Sequence, residues 1–137
     1  MVDNKKFSVE EAERLISWLE AKFDEITPVR EKLVKEQEQL LICLRQSRGN
    51  GESSRDVDLN AKYQEIDRLR YQIQKLLKSF SDHGVIVRDI QRGLVDFPFV
   101  RDGRLVNLCW VRGEKKIEYW HETNVGFSSR KHQEKLD

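Results

Sequence analysis

GLVDFPFVRDGRLVNLCWVRGEKKIEYWHE, residues 93–122, is the stretch whose reading decides the fold, because its turns let strand pairing be worked out residue by residue. Asp102-Gly103 is a strong signal for a two-residue hairpin, whose turn needs positive φ values that Asp and Gly tolerate. It pairs Arg101 with Arg104, and therefore Phe99 with Val106, Phe97 with Leu108, Asp96 with Cys109 and Val95 with Trp110. Gly113-Glu114 is a weaker signal. Read as a second two-residue loop, it pairs Arg112 with Lys115. That sets Trp110 opposite Ile117, Cys109 opposite Glu118, Leu108 opposite Tyr119, Asn107 opposite Trp120 and Val106 opposite His121.

Side chains alternate between the two faces of a strand, so this register predicts what each face carries. One face holds Val95, Phe97, Phe99, Val106, Leu108, Trp110, Ile117, Tyr119 and His121, and reads as the core face. The other holds Asp96, Asn107, Cys109, Glu118, Trp120 and Glu122 among Leu94, Pro98, Val100, Leu105 and Val111. Strands lie ~4.8 Å apart, so a row of Asp96, Cys109 and Glu118 brings two carboxylates within ~10 Å with the thiol between them. An open-face Trp120 calls for a cover. The C-terminal tail, with Phe127 and Arg130, a second subunit and a ligand are the alternatives.

Upstream of the sheet the pattern is helical. Ser8-Val9-Glu10-Glu11 reads as a capping box, with Phe7 and Ala12 placed for a hydrophobic staple. From there Ala12, Leu19, Ile26, Leu33 and Leu40 recur, beside a second line of Ile16, Phe23, Arg30, Gln37 and Leu44. Such a stripe predicts one helix over residues 7–45, kinked near Pro28, whose ring removes the bond to Asp24. QSRGNGESSRD, residues 46–56, reads as a flexible loop. Leu59, Ile66, Ile73 and Phe80, with Leu69 and Leu76, predict a second helix over 57–82, capped by Asp56 or Asp58 and stopped at Gly84. The expected architecture is one α+β domain over 1–137. A long, coiled-coil-like antiparallel helical hairpin packs on a small antiparallel sheet over 85–122, followed by a tail over 123–137.

Composition agrees with long solvated helices. The 137 residues are 38% hydrophobic and 36% charged, and 25 basic against 24 acidic residues leave a net charge of +1. Ordinary domains are nearer ~45–50% apolar and ~25% charged. The mixed charges lack the one-sided basic footprint of a nucleic-acid binder, and Asp96, Glu118 and Glu122 on the second face would repel phosphates. Cys43 and Cys109 form no CxxC pair and read as reduced thiols. With no signal core and no stretch approaching ~20 apolar residues, the expectation is a cytoplasmic protein with no membrane contact.

Several of these pieces together are familiar. GLVDFP at 93–98, DG at 102–103, LCW at 108–110, GE at 113–114, YWHE at 119–122 and GF at 126–127 followed by Arg130 resemble the domain of unknown function 2203 family. The opening FSVEEAERLI at 7–16 resembles it as well, so the likeness covers most of residues 7–130. The resemblance implies a small bacterial-type cytoplasmic protein with no established activity, and it supplies no catalytic residues.

Chemistry must therefore speak from the residues. Zinc or iron usually wants more His or Cys than this face offers, and His121 points to the core face in the derived register. No metal and no cofactor is assigned. Cys109 lacks a same-face His, and two carboxylates beside it raise its pKa, which argues against a thiol nucleophile. Asp96 with Glu118 is a carboxylate pair fit for acid–base work, but no phosphate loop or nucleophile elbow accompanies it. Enzymatic activity is neither assigned nor excluded. The preferred expectation is a non-enzymatic interaction or assembly module, homodimeric through its helices, with Asp96, Asn107, Cys109, Glu118, Trp120, Glu122 and Arg130 as the candidate ligand or partner face. The alternative is a small-ligand or metal-binding protein, with or without enzymatic activity, whose site is at Asp96, Cys109 and Glu118.

Overall fold

A computed structural model describes residues 5–46 and 53–132. Helices α1 (Val9–Arg14), α2 (Ile16–Gln46) and α3 (Ser53–Asp82) precede strands β1 (Ile86–Asp89), β2 (Leu94–Arg101), β3 (Arg104–Val111), β4 (Tyr119–Glu122) and β5 (Lys131–His132). The five strands form one antiparallel sheet in the order β1-β2-β3-β4-β5. The class is α+β, as the sequence predicts.

The helix ends follow their local chemistry. Ser8 Oγ accepts from the Glu11 N–H at 3.1 Å, and the Glu11 carboxylate accepts from the Ser8 N–H at 3.0 Å. This is the expected capping box, and it satisfies two donors that the first helical turn leaves open. At the far end of α3, Gly84 adopts φ +80° and donates to Ser81, while Val85 donates to Phe80. These two bonds are the Schellman stop that the glycine allows. Two boundaries differ from expectation. The first helix is divided at Leu15, and α3 starts at Ser53, so Asp56 and Asp58 lie inside it rather than capping it. Most of the loop expected over 46–56, namely 47–52, and the end of the tail from 133 lie outside the described residues.

The core sits where α1, the first half of α2 and the end of α3 meet the sheet. Phe7, Ala12, Leu19, Phe23, Ile26 and Phe80 pack with Val95, Phe97, Val106, Leu108, Trp110, Ile117 and Trp120. Burying each large apolar side chain contributes about 1.5–3 kcal/mol. Phe7 meets Phe97 edge-on at 5.1 Å, and its N–H donates to the Pro98 carbonyl at 2.7 Å, which fixes the N-terminal segment on the edge of β2 beyond β1. Arg112 ties the sheet to α2 through Asp24 and, at 3.2 Å, through Thr27 Oγ1. Farther from the sheet, Lys62 joins Glu36 at 2.8 Å between α3 and α2.

The register is correct on one side of β3 and shifted on the other. Asp102 (φ 51°) and Gly103 (φ 74°) form the expected turn, and every β2–β3 pair from Val95–Trp110 to Arg101–Arg104 is as derived. Between β3 and β4, however, Cys109 pairs with Tyr119, Leu108 with Trp120, Asn107 with His121 and Val106 with Glu122. The expected Cys109–Glu118 pairing is overturned by one residue. The cause is that residues 112–118 make an irregular connection instead of a two-residue turn. Glu114 builds it: its carboxylate accepts from the Val111 N–H and its carbonyl from the Trp110 indole, both at 2.8 Å. Ile117 stays buried, but its N–H donates to the Glu13 carboxylate at 3.0 Å rather than to β3.

Candidate metal centre

A one-residue slip turns every side chain of a strand to the opposite face. Trp120 therefore belongs to the core, 2% exposed, and His121 joins Asp96, Asn107 and Cys109 on the second face. Glu118 leaves the expected row and meets His132 at 3.2 Å. Glu122 leaves it too, lying opposite Val106 and paired with Arg104 at 2.7 Å. Trp120 needs no ligand to cover it: the Arg101 guanidinium lies 4.4 Å from its ring and Lys131 lies 5.1 Å away.

What replaces the row is a tighter group. Asp96, on β2, and His121, on β4, are 1% and 2% exposed, and His121 Nε2 reaches across β3 to within 2.9 Å of Asp96 Oδ1. Cys109, on β3, is fully buried beside them. The three potential ligand atoms, one each from an oxygen, a sulfur and a nitrogen donor, lie within 4.8 Å of one another.

Each member is held by a further contact. His121 Nδ1 lies 2.7 Å from the Glu122 carbonyl, which can only accept, so Nδ1 carries a proton and donates it there. Nε2 is then the ring nitrogen that faces Asp96 Oδ1 and is placed to serve as a ligand. The second Asp96 oxygen accepts from Arg88 Nε at 2.8 Å. Arg130, which pairs with Glu114 at 2.9 Å and stacks on Tyr119 and Phe127, brings its positive charge near the Cys109 thiol. Of the three covers open from the sequence, the tail is the one seen beside this face, where the turn over 123–130 brings Phe127 and Arg130, although Trp120 no longer lies there.

Burial, followed by the nearby Asp96 charge, pushes the Cys109 thiol up to about 12 despite Arg130. It is a neutral thiol at neutral pH, which supports the sequence argument against a free nucleophile. A bound cation reverses that balance, because a coordinating thiol gives up its proton.

Beside the group opens a cavity of about 730 Å³, into which Asp96 and His121 face together with Arg88, Arg92 and Phe127. Such a volume is ordinary for a small-molecule site. Asp96, Asn107 and Cys109 were legible as one face from the first turn, whereas His121 was missed. Its signal was Glu114, a carboxylate placed to cap the end of a strand and so to lengthen the connection that follows.

A family model described as "Uncharacterized conserved protein (DUF2203)" matches residues 5–133. No curated protein and no solved structure matches the chain.

Proposed function

The chain belongs to the DUF2203 family, whose description names no activity, and from its own site we propose that it binds a transition metal at Asp96, Cys109 and His121. One observation carries the reading: three buried ligand atoms of different type lie within 4.8 Å, each on a side chain oriented by another group. Zinc-class ions take His, Cys and carboxylate ligands at about 2.0–2.3 Å, and three protein ligands leave a fourth position for water or substrate. Glu122 and Arg88 act as the outer groups that orient His121 and Asp96. The adjoining cavity gives that fourth position access to a small molecule, so the site suits Lewis-acid chemistry or ligand capture.

Metal analysis of protein purified without chelator tests this. The expected result is about one zinc-class ion per chain, lost in both Cys109→Ala and His121→Ala. A wild-type chain that takes up no more zinc in titration than these variants sinks the reading.

A second reading rests on a different observation. Leu41 and Ile42 are 53% and 50% exposed near the end of α2, far along the helix from the sheet. We read α2 and α3 as the arms of a coiled-coil-like hairpin, kinked near Pro28, whose apolar end joins a second copy or a protein partner. With two free cysteines, this describes a cytoplasmic assembly module. Among the described residues no helix is long and apolar enough to cross a membrane. Solution mass decides: a dimer that dissociates in Leu41→Lys supports the reading, and a monomer at high concentration ends it.

A further inference from the structure

The second face carries another cavity, of about 520 Å³, lined by Arg88 and Asn107 among others. Its polar lining includes Lys5, Lys6, Arg88 and Asn107, and among its described lining residues none is acidic. We propose that this cavity binds the phosphate group of a small phosphomonoester. The site lies beside the proposed metal centre and shares Arg88, Thr123 and its strands with the cavity there.

The cations are brought there by the fold. The Phe7 bond to Pro98 anchors the segment ahead of α1, and Gly84 lets Lys5 pass close, since an added Cβ would meet Lys5 Cβ at 3.0 Å. The Glu11 carboxylate, which feels the Lys5 charge, is itself occupied with the Ser8 N–H. Arg88 gives Nε to Asp96 and keeps its terminal nitrogens for another partner.

Asn107 supplies an independent observation. It is 4% exposed, and its carboxamide makes no hydrogen bond with a described residue, although it lines the cavity. Its polar atoms are open to the cavity rather than sealed from it, so a ligand there can reach them. An anion that accepts from its NH2 group lies beside the two lysines, of which Lys5 carries its ammonium 4.7 Å from the centre of the Phe7 ring. Two compact point charges and a fork with one side already used suit a tetrahedral dianion better than a planar carboxylate. The remaining wall contains Pro98 and Leu105, the latter 46% exposed, so the ester group has an apolar surface to lie on.

The test is calorimetric titration of metal-free protein with inorganic phosphate and with butyl phosphate. Saturable binding is expected for both, tighter for butyl phosphate. Lys5→Gln combined with Lys6→Gln, both on exposed side chains, should weaken it by about tenfold or more, the scale of one lost charged hydrogen bond. Asn107→Leu should weaken it similarly, and the lysine pair keeps the test open if that variant does not fold. Lys35→Gln, which removes an exposed lysine on α2 that does not line the cavity, should leave phosphate affinity unchanged. Absence of saturable binding, or an unchanged affinity in the lysine pair, overturns the proposal. Equal affinity for the two phosphates overturns its apolar half. Cosedimentation with phosphatidic-acid vesicles, without binding of butyl phosphate, assigns the chemistry to a lipid headgroup and overturns the small-molecule ligand.

Discussion

Toward the helices the sheet presents Val95, Phe97, Val106, Leu108, Trp110 and Trp120; on its other face Asp96, Asn107, Cys109 and His121 are withdrawn from solvent almost as completely. Burial alone therefore does not distinguish the faces. The first is held mainly by complementary shape, because apolar groups lose nothing by leaving water, and its Trp110 indole N–H is taken up by the Glu114 carbonyl. The second needs partners for its polar atoms: Asp96 and His121 find Arg88 on β1, each other and the Glu122 carbonyl, while Asn107 faces the cavity. A side built from such partners is sensitive to single atoms, whereas the core side is sensitive to volume.

The comparison breaks most sharply at Phe97. Phe97→Ala leaves a hole in the core beside Phe7, and such truncations cost about 3–5 kcal/mol. Urea denaturation should show that loss with an unchanged slope. On the second face the near-isosteric Asp96→Asn alters no volume, yet it removes the charge shared by Arg88 and His121. Hydrogen bonds to charged groups contribute about 1.5–3 kcal/mol, and half-exposed Arg88 retains water, so a loss of about 2 kcal/mol is expected. A cost near zero in the same denaturation experiment would make this face as tolerant as solvent-exposed surface.

Cys109 sharpens the contrast by pH. Its thiol ionises near 9 when unfolded and is pushed up to about 12 in the fold, by burial first and then by Asp96. Above pH 9 the unfolded chain has released a proton that the folded chain keeps. The stability contributed by this group is therefore complete below pH 9 and lost as pH rises toward 12, at about 1.4 kcal/mol per unit. Melting of wild type against Cys109→Ala should diverge on that slope from pH 9 to 10. Parallel curves would mean that the thiol is far better solvated than its surroundings imply.

Much of this architecture was legible in the sequence, for reasons that differ by element. The capping box and the Gly84 stop are local, each satisfied within a few residues of itself. The Asp102-Gly103 turn fixes its register through backbone conformation, which residue type announces. The connection after Val111 depends instead on a side chain. Glu114 takes the Val111 N–H from a would-be strand partner, and Glu13, distant in sequence, takes that of Ile117. Neither bond is visible in a period of two. Asp96 and Cys109 were placed together because they flank the legible turn, and His121 was misplaced because it lies beyond the other one.

Glu114 also separates the two faces by the smallest substitution. Its carboxylate serves Val111 on the strand and Arg130 on the cover at once. In Glu114→Gln the amide oxygen still accepts from Val111, so the pairing of Cys109 with Tyr119 should persist in cross-strand NMR contacts. Only the charge toward Arg130 is lost, and with both partners still partly solvated the cost should be about 0.5–1 kcal/mol. Because Arg130 stacks on Tyr119 of β4 and leads into β5, that cost should concentrate in faster amide exchange at β4 and β5. Exchange at Val95 and Trp110 should match wild type. Uniform acceleration would mean that the cover and the core open as one unit, and that the second face has no separate stability of its own.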